Sequence, residues 1–301
     1  MKQTNSLISL LKQIQIHSKS LTGDTFAYDN LMNDLKHIHL RLKTNMYAES
    51  DYEKRDIFDV PRRTEEFLRY FSGYDEQGEF WASILKPLIT TKTKTILDVC
   101  PGWAPKIELG LWKLRFKGTT HLVDYNPSSL SSIESYLKMI GSDLKLVNHN
   151  DNFFYLKSLP QMDLIVGNHI VDDLLLHEYC EKSQVMITSL YESENAMLKA
   201  TEEILKLGMI DQKVFADSVS QVIISLMKQN SYIVLSQYKG LFERTHRLTE
   251  WSNFVGEIFR HIESNLLKAE LNNQIDQAVS DLSDKQKEKL IEKNLIVMQM
   301  I

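Results

Sequence analysis

Apolar residues return every three or four positions over residues 5–46, at Leu7, Leu10, Leu11 and Ile14 and again at Leu31, Leu35, Ile38 and Leu42. This spacing puts them on one helical face and predicts a helical region, interrupted near the turn-forming residues 21–25. The next stretch mixes aromatics with charges. Pro61 followed by Thr64, Glu65 and Glu66 reads as a helix entry, with the helices ending near Pro87. From residue 95 the period changes: short apolar runs at 95–100, 120–125, 144–150 and 162–168 alternate with amphipathic stretches at 107–116 and 129–140. That alternation predicts right-handed strand–helix–strand units and a parallel sheet. Helical patterns then run to about Gln229, longer than a normal crossover. A helical insertion at about 191–230, acting as a lid, is therefore expected before a fifth strand at 231–240. A helix is expected at 249–270, and the final apolar run 295–301 suits an antiparallel strand, although no hairpin partner is visible before it. No repeat appears at periods of about 20–50 residues, so solenoids are out.

Two regions follow: a helical N-terminal region at 1–84, expected to cover an active site, and an α/β domain at 85–301. Composition changes this picture little. With 43% hydrophobic and 25% charged residues the chain is an ordinary folded protein, and a net charge of −5 disfavours a surface that holds long nucleic acid. The two cysteines, Cys100 and Cys180, can form neither a disulfide scaffold nor a four-cysteine zinc site, which suits a reducing cytoplasm. No apolar run reaches the roughly 18 residues of a membrane helix, and Lys12 and Gln13 interrupt the stretch a signal peptide would need. Hydrolase, P-loop and zinc-binding motifs are missing, and His37 and His39, two residues apart, do not share a helical face, so no metal is expected.

The candidate chemistry gathers where the predicted strands end. Asp98 closes an apolar run, a turn with Pro101 and Gly102 follows, and a helix opens near Pro105, so a ligand can approach the backbone at the carboxyl end of the sheet. A second strand ends at Asp124 and Tyr125, 26 residues after Asp98. A carboxylate there suits either the two ribose hydroxyls of a nucleotide or, with Asn126, Pro127 and Ser128, a helix cap. A third strand runs into Asp151, Asn152 and Phe153, either a ligand edge or a turn before buried aromatics. A fourth ends at Asn168 and His169, with Asp172 and Asp173 opening the next helix, where acidic residues also favour the helix dipole.

These residues resemble the motifs of class I S-adenosylmethionine (AdoMet)-dependent methyltransferases, whose first motif reads roughly D-x-G-x-G-x-G. Asp98, Cys100, Gly102 and Ala104 occupy its acidic and glycine positions, with Cys100 and Ala104 in place of two glycines. The resemblance covers about residues 95–175. It implies a Rossmann-like, mostly parallel sheet with helices on both faces and S-adenosyl-L-methionine as cofactor. The cofactor would be held by Asp98, Cys100, Gly102, Ala104, Asp124, Tyr125, Asp151, Asn152 and Asn168. Because Cys100 and Ala104 each carry a Cβ, Gly102 is expected to adopt the most unusual backbone angles of the loop. His169 becomes a candidate catalytic base, or else a polar loop residue. Tyr70, Tyr74 and Asp172 are candidate substrate contacts, the two tyrosines being equally suited to packing.

The expected activity is methyl transfer to an oxygen or nitrogen of a small-molecule or peptide acceptor by direct in-line displacement. Nucleic acid and membrane are not expected partners, and the assembly is left open between monomer and homodimer. An NAD-dependent oxidoreductase would use a related strand–loop–helix start, but the second and third glycines of its fingerprint are missing. A methyltransferase-like adaptor without catalysis is motivated by Cys100 and Ala104.

Overall fold

The computed structural model describes residue 74 and residues 76–300, apart from 103, 140, 157–158, 192, 281, 285–286, 288–289 and 291–293. The expected helical region at 1–73, with Tyr70, lies outside the described residues.

A helix, α1 (76–85), leads into the strands and helices that the alternating pattern predicts. They are β1 (Thr95–Val99), α2 (Lys106–Lys113), β2 (Thr119–Val123), α3 (Pro127–Met139), β3 (Lys145–His149) and β4 (Met162–Asn168). Between β4 and the next strand stand α4 (Ile170–Ser183), α5 (Ile187–Tyr191), α6 (Glu194–Leu207) and α7 (Gln212–Leu226). The chain ends with β5 (Met227–Gln237), α8 (Leu241–Thr245), α9 (Thr249–Lys268), the two-residue β6 (Asn272–Asn273), α10 (Ile275–Val279) and β7 (Asn294–Gln299).

The seven strands form one sheet in the order β3-β2-β1-β4-β5-β7-β6. The first five are parallel, and β7 runs antiparallel to both β5 and β6. The final strand therefore finds its partner in β5, pairing Val234 with Val297, more than sixty positions away rather than in a hairpin.

Side chains alternate between the two faces along each central strand, and both faces are buried. Leu97, Val99, Ile165, Ile233 and Leu235 face one way, into a core completed by Leu174 and Leu175 of α4, Val219 and Ile223 of α7, and Trp251 and Ile258 of α9. Ile96, Leu164, Val166 and Val234 face the other way, against Trp81, Ile84 and Leu85 of α1 and Ile107 and Leu111 of α2. Because α1 closes this second core, the sheet domain includes at least residues 76–84, which the sequence pattern assigns to the N-terminal region. The helices between β4 and β5 also pack rather than lie open: Ala200, Ile204, Ala216 and Val219 are fully buried. They are a thick crossover layer, not a lid. The fifth strand starts at Met227, inside the stretch expected to be helical, because Met227 pairs with Met162 ahead of a register shift in β4. Among the described residues no helix is long and apolar enough to cross a membrane.

His121 of β2 and His149 of β3 stack with ring centroids 5.2 Å apart, and a hydrogen bond of 2.9 Å joins Nδ1 of the first to Nε2 of the second. One ring must stay unprotonated for that bond to form. Burial pulls both pKa values down, aided for His121 by its neighbour and opposed for His149 by Asp151. Their contribution to stability is therefore complete above the ordinary imidazole pKa of about 6.5 and is lost as pH falls below it through the lowered folded values. The urea midpoint is expected to drop between pH 7 and pH 5, and His149→Gln to make that drop shallower. An unchanged drop would remove the pair from the acid response.

Candidate functional site

The chain leaves β1 to build β2 and β3 on one side and returns to place β4 on the other, so the strand order reverses between β1 and β4. In open parallel sheets the crevice beyond the carboxyl ends of the strands at such a reversal is where ligands bind. Asp98, Asp124 and Asn168 stand at or just past the ends of β1, β2 and β4.

The loop after β1 makes its turn with two left-handed residues, Cys100 at φ 51° and Gly102 at φ 65°. The unusual angle is thus not confined to the glycine. A non-glycine residue there costs about 1–2 kcal/mol, and the surroundings hold Cys100 in place. Its N–H donates to the Val123 carbonyl at 2.9 Å, and its buried thiol lies 4.0 Å from Nδ1 of His177. Burial, with Asp124 nearby, raises the thiol pKa well above its usual value, while burial takes His177 down to about 3, so both groups are neutral. At Gly102, among the described residues other than its chain neighbours, nothing stands within 4 Å of where a Cβ would be, which leaves room for an approaching ligand. Ala104 is half-buried just before α2.

Asp124 ties this loop to β2. Its Oδ2 accepts from the Gly102 N–H at 3.3 Å and its Oδ1 from the Asn126 N–H at 2.8 Å. Burial raises its pKa to about 7, against the opposing pull of these N–H groups and Ser129. With three donors on four lone-pair sites, the carboxylate keeps room for a further donor. The cap reading and the ligand reading of this residue are therefore compatible.

Tyr125 lies against His177, ring centroids 5.5 Å apart, and its hydroxyl bonds to Glu181, which with burial raises its pKa to about 12. Beyond β3, Asp151 is exposed and Asn152 is 2% exposed. Asn152 Oδ1 accepts from the Phe154 N–H at 3.1 Å, and Nδ2 has no hydrogen-bond partner among the described residues. A buried unpaired amide costs about 1–3 kcal/mol, so Asn152 rather than Asp151 presents a donor awaiting an acceptor. Phe153 is buried behind it.

At the end of β4, Asn168 is enclosed: Nδ2 donates to the Tyr238 hydroxyl at 3.2 Å, and Oδ1 accepts from Ser236 at 3.2 Å. His169 is itself left-handed at φ 65° and sits between two carboxylates, Asp172 at 2.9 Å from Nδ1 and Glu243 at 3.4 Å from Nε2. Burial opposes its charge, but Asp172 and then Glu243 outweigh burial, and its pKa stands well above the usual imidazole value. This direction favours the imidazolium form, which has no lone pair to take a proton. Glu243 also accepts from the Gly240 N–H and from Ser252 at 3.0 Å. A Cβ on Gly240 would stand 3.0 Å from Cε1 of His169 and press the ring out of place by a few tenths of an ångström.

Asp172 accepts from Gln237 at 3.3 Å, and Asp173 accepts from the Tyr191 hydroxyl at 2.5 Å. Burial and then Asp172 raise Asp173 to about 8. Tyr74 packs its ring edge-on to Tyr136 of α3, centroids 5.9 Å apart. Among the described residues no group of three or more His, Cys, Asp or Glu side chains is arranged to hold a metal ion.

The structure thus gathers the loop 100–104, Asp124, Asn152, Asn168 and His169 along the carboxyl edge of the sheet. It adds Glu243, Tyr238, Gln237 and His177, which the sequence pattern does not single out. Their partners Cys100, Tyr125, Asn168, His169 and Asp172 lie more than fifty residues away in the chain, beyond the reach of any local motif.

A parallel run β3-β2-β1-β4-β5 closed by a strand β7 reversed between β5 and β6, with the loop at the switch point, decides the architecture. The fold is a Rossmann-like α/β fold. No protein-family model and no curated protein sequence matches the chain. Solved structures similar to the chain include a putative class I AdoMet-dependent methyltransferase from Listeria monocytogenes, 12% identical, with a TM-score of 0.45 over 99% of this chain and 87% of that one. The N-methyltransferase NodS from Bradyrhizobium japonicum, in complex with S-adenosylhomocysteine, is 10% identical, with a TM-score of 0.41 over 88% of this chain and 98% of that one. An AdoMet-dependent methyltransferase from Clostridium acetobutylicum is 14% identical, with a TM-score of 0.33; 54% of this chain matches, and the match spans about half, 50%, of that chain.

Proposed function

We propose that the chain is an AdoMet-dependent methyltransferase acting on an oxygen or nitrogen of a small-molecule or peptide acceptor. The observation that carries this reading is the bond between the Gly102 N–H and Asp124, which sets a carboxylate suited to ribose hydroxyls beside the loop after β1. The free donor of Asn152 suits a ring nitrogen of adenine, and the open face of Gly102 suits the methionine part of the cofactor.

A sulfonium-bound methyl group is already activated. AdoMet, held by Asp124, Asn152 and the Gly102 backbone, would supply this methyl to the acceptor's lone pair, the C–S electron pair staying on sulfur. The protein's part is to align the two and exclude water. His169, charged between Asp172 and Glu243, positions the acceptor side of the crevice as an imidazolium; an acceptor that must lose a proton gives it to solvent or to a carboxylate nearby.

Cys100, left-handed and buried where the motif has glycine, favours a second reading in which the site no longer binds cofactor tightly and the chain acts as an adaptor. Calorimetric titration of the full chain with AdoMet and, separately, NAD separates the readings. Saturable AdoMet binding without NAD binding is expected. Binding of neither would turn the assignment to the adaptor, and binding of NAD alone to an oxidoreductase.

A further inference from the structure

Asp98 at the end of β1 and Glu108 in α2 flank the loop that the proposed cofactor site uses, and they are 1% and 0% exposed. No N–H or O–H group of another described residue bonds to any of their four carboxyl oxygens by distance and angle, and the Glu108 carboxyl draws only on its own backbone N–H. What each carboxyl faces is the other. Two ionised carboxylates in such a dry, donor-poor place would repel strongly and leave oxygens of both unsatisfied, whereas one proton between them satisfies an oxygen on each side and removes a charge.

We propose that Glu108 is a positioning residue: it shares a single proton with Asp98, and this proton clasps α2 to β1 and holds the intervening loop, residues 100–105, in its turned shape. The clasp explains how a strained Cys100 is kept in the left-handed region without glycine. It also gives the buried Glu108 a use, since the residue sits on the inward face of α2 beside Ile107 and Leu111, where an apolar side chain would otherwise be expected. The other charged groups acting on the pair are Lys106, which pulls both pKa values down, and Asp124, which pushes that of Asp98 up. For both acids burial comes first and the net direction is upward. The folded state therefore keeps a proton that the unfolded chain releases above the ordinary carboxylate range, so the pair's contribution to stability declines as pH rises until the clasp ionises.

The proposal rests on the methyltransferase reading only for what the loop holds, and its test needs no cofactor. The full chain and Glu108→Gln, which keeps the shape and offers a permanent donor to Asp98, would be melted from pH 5 to pH 9. The wild type is expected to lose Tm with rising pH more steeply than the variant. In a Cys180→Ala background, the rate at which a disulfide reagent labels Cys100 would then be compared between the two proteins at each pH. Similar rates are expected at pH 6 and several-fold faster labelling of the wild type at pH 9, where only its clasp has lost its proton. Glu108→Met, with no donor and no charge, should label fast at every pH, which a merely space-filling role of residue 108 would not produce. Equal pH slopes and equal labelling in wild type and Glu108→Gln would overturn the clasp. If these differences appear while AdoMet binds to none of the proteins, the clasp stands and the cofactor reading fails.

Discussion

Asp124→Ala is expected to weaken AdoMet binding by about 10²-fold or more while leaving the fold intact, because hydrogen bonds to a charged acceptor are worth about 1.5–3 kcal/mol each and a ribose offers two. The carboxylate is 4% exposed and already oriented by the Gly102 and Asn126 N–H groups, so it loses little freedom on binding. Its pKa, raised to about 7 by burial, adds a signature. Ribose hydroxyls donate to the ionised form, so below about pH 7 binding must first expel a proton, and affinity carried by this group should rise as pH increases through 7 and level off above it. Calorimetry at pH 6 and pH 8 on wild type and variant, with circular dichroism as the check on folding, reads both effects. An unchanged affinity in a folded Asp124→Ala protein would remove the ribose role.

Trp251→Ala should produce the largest loss of stability among single substitutions away from the crevice. Trp251 opens α9, is 2% exposed, and lies parallel to Phe254 with centroids 6.1 Å apart, inside the core that α4, α7 and the sheet share. Truncating a buried Trp to Ala removes its transfer free energy and leaves a cavity, together about 3–5 kcal/mol. For a domain of this size that corresponds to a fall in Tm of roughly 6–20 °C. Differential scanning calorimetry would measure it. A change of a degree or two would mean that α9 does not close the core. The substitution should leave AdoMet affinity per folded molecule unchanged, which separates it cleanly from Asp124→Ala.

The four candidate loops of the site are legible in the sequence because each strand end is a local event, an apolar run of period two stopping at a polar turn. Asp98, Gly102, Asp124 and Asn168 are readable for that reason. Asp151 and Asn152 show the limit of the same argument. Both follow β3, but which side chain turns inward depends on a single residue of register, and the structure buries Asn152 and exposes its neighbour. His169 shows another limit: Asp172, three residues on, is the first group to favour its charge, but the second, Glu243, has a position that depends on the whole crossover from β4 through β5.

The sequence by itself determined the alternating strands and helices from residue 95 to 175, the switch from helical to strand period, and the polar residues that end each strand, since all of these are written in spacings of two to four residues. Only the tertiary structure decided that β7 inserts antiparallel beside β5, that α5 to α7 form a packed layer, that Cys100 holds a left-handed turn, and that Asp98 meets Glu108 while His169 meets Glu243. Those outcomes come from burying apolar faces and pairing charges between segments far apart in the chain, an energy that no local pattern carries.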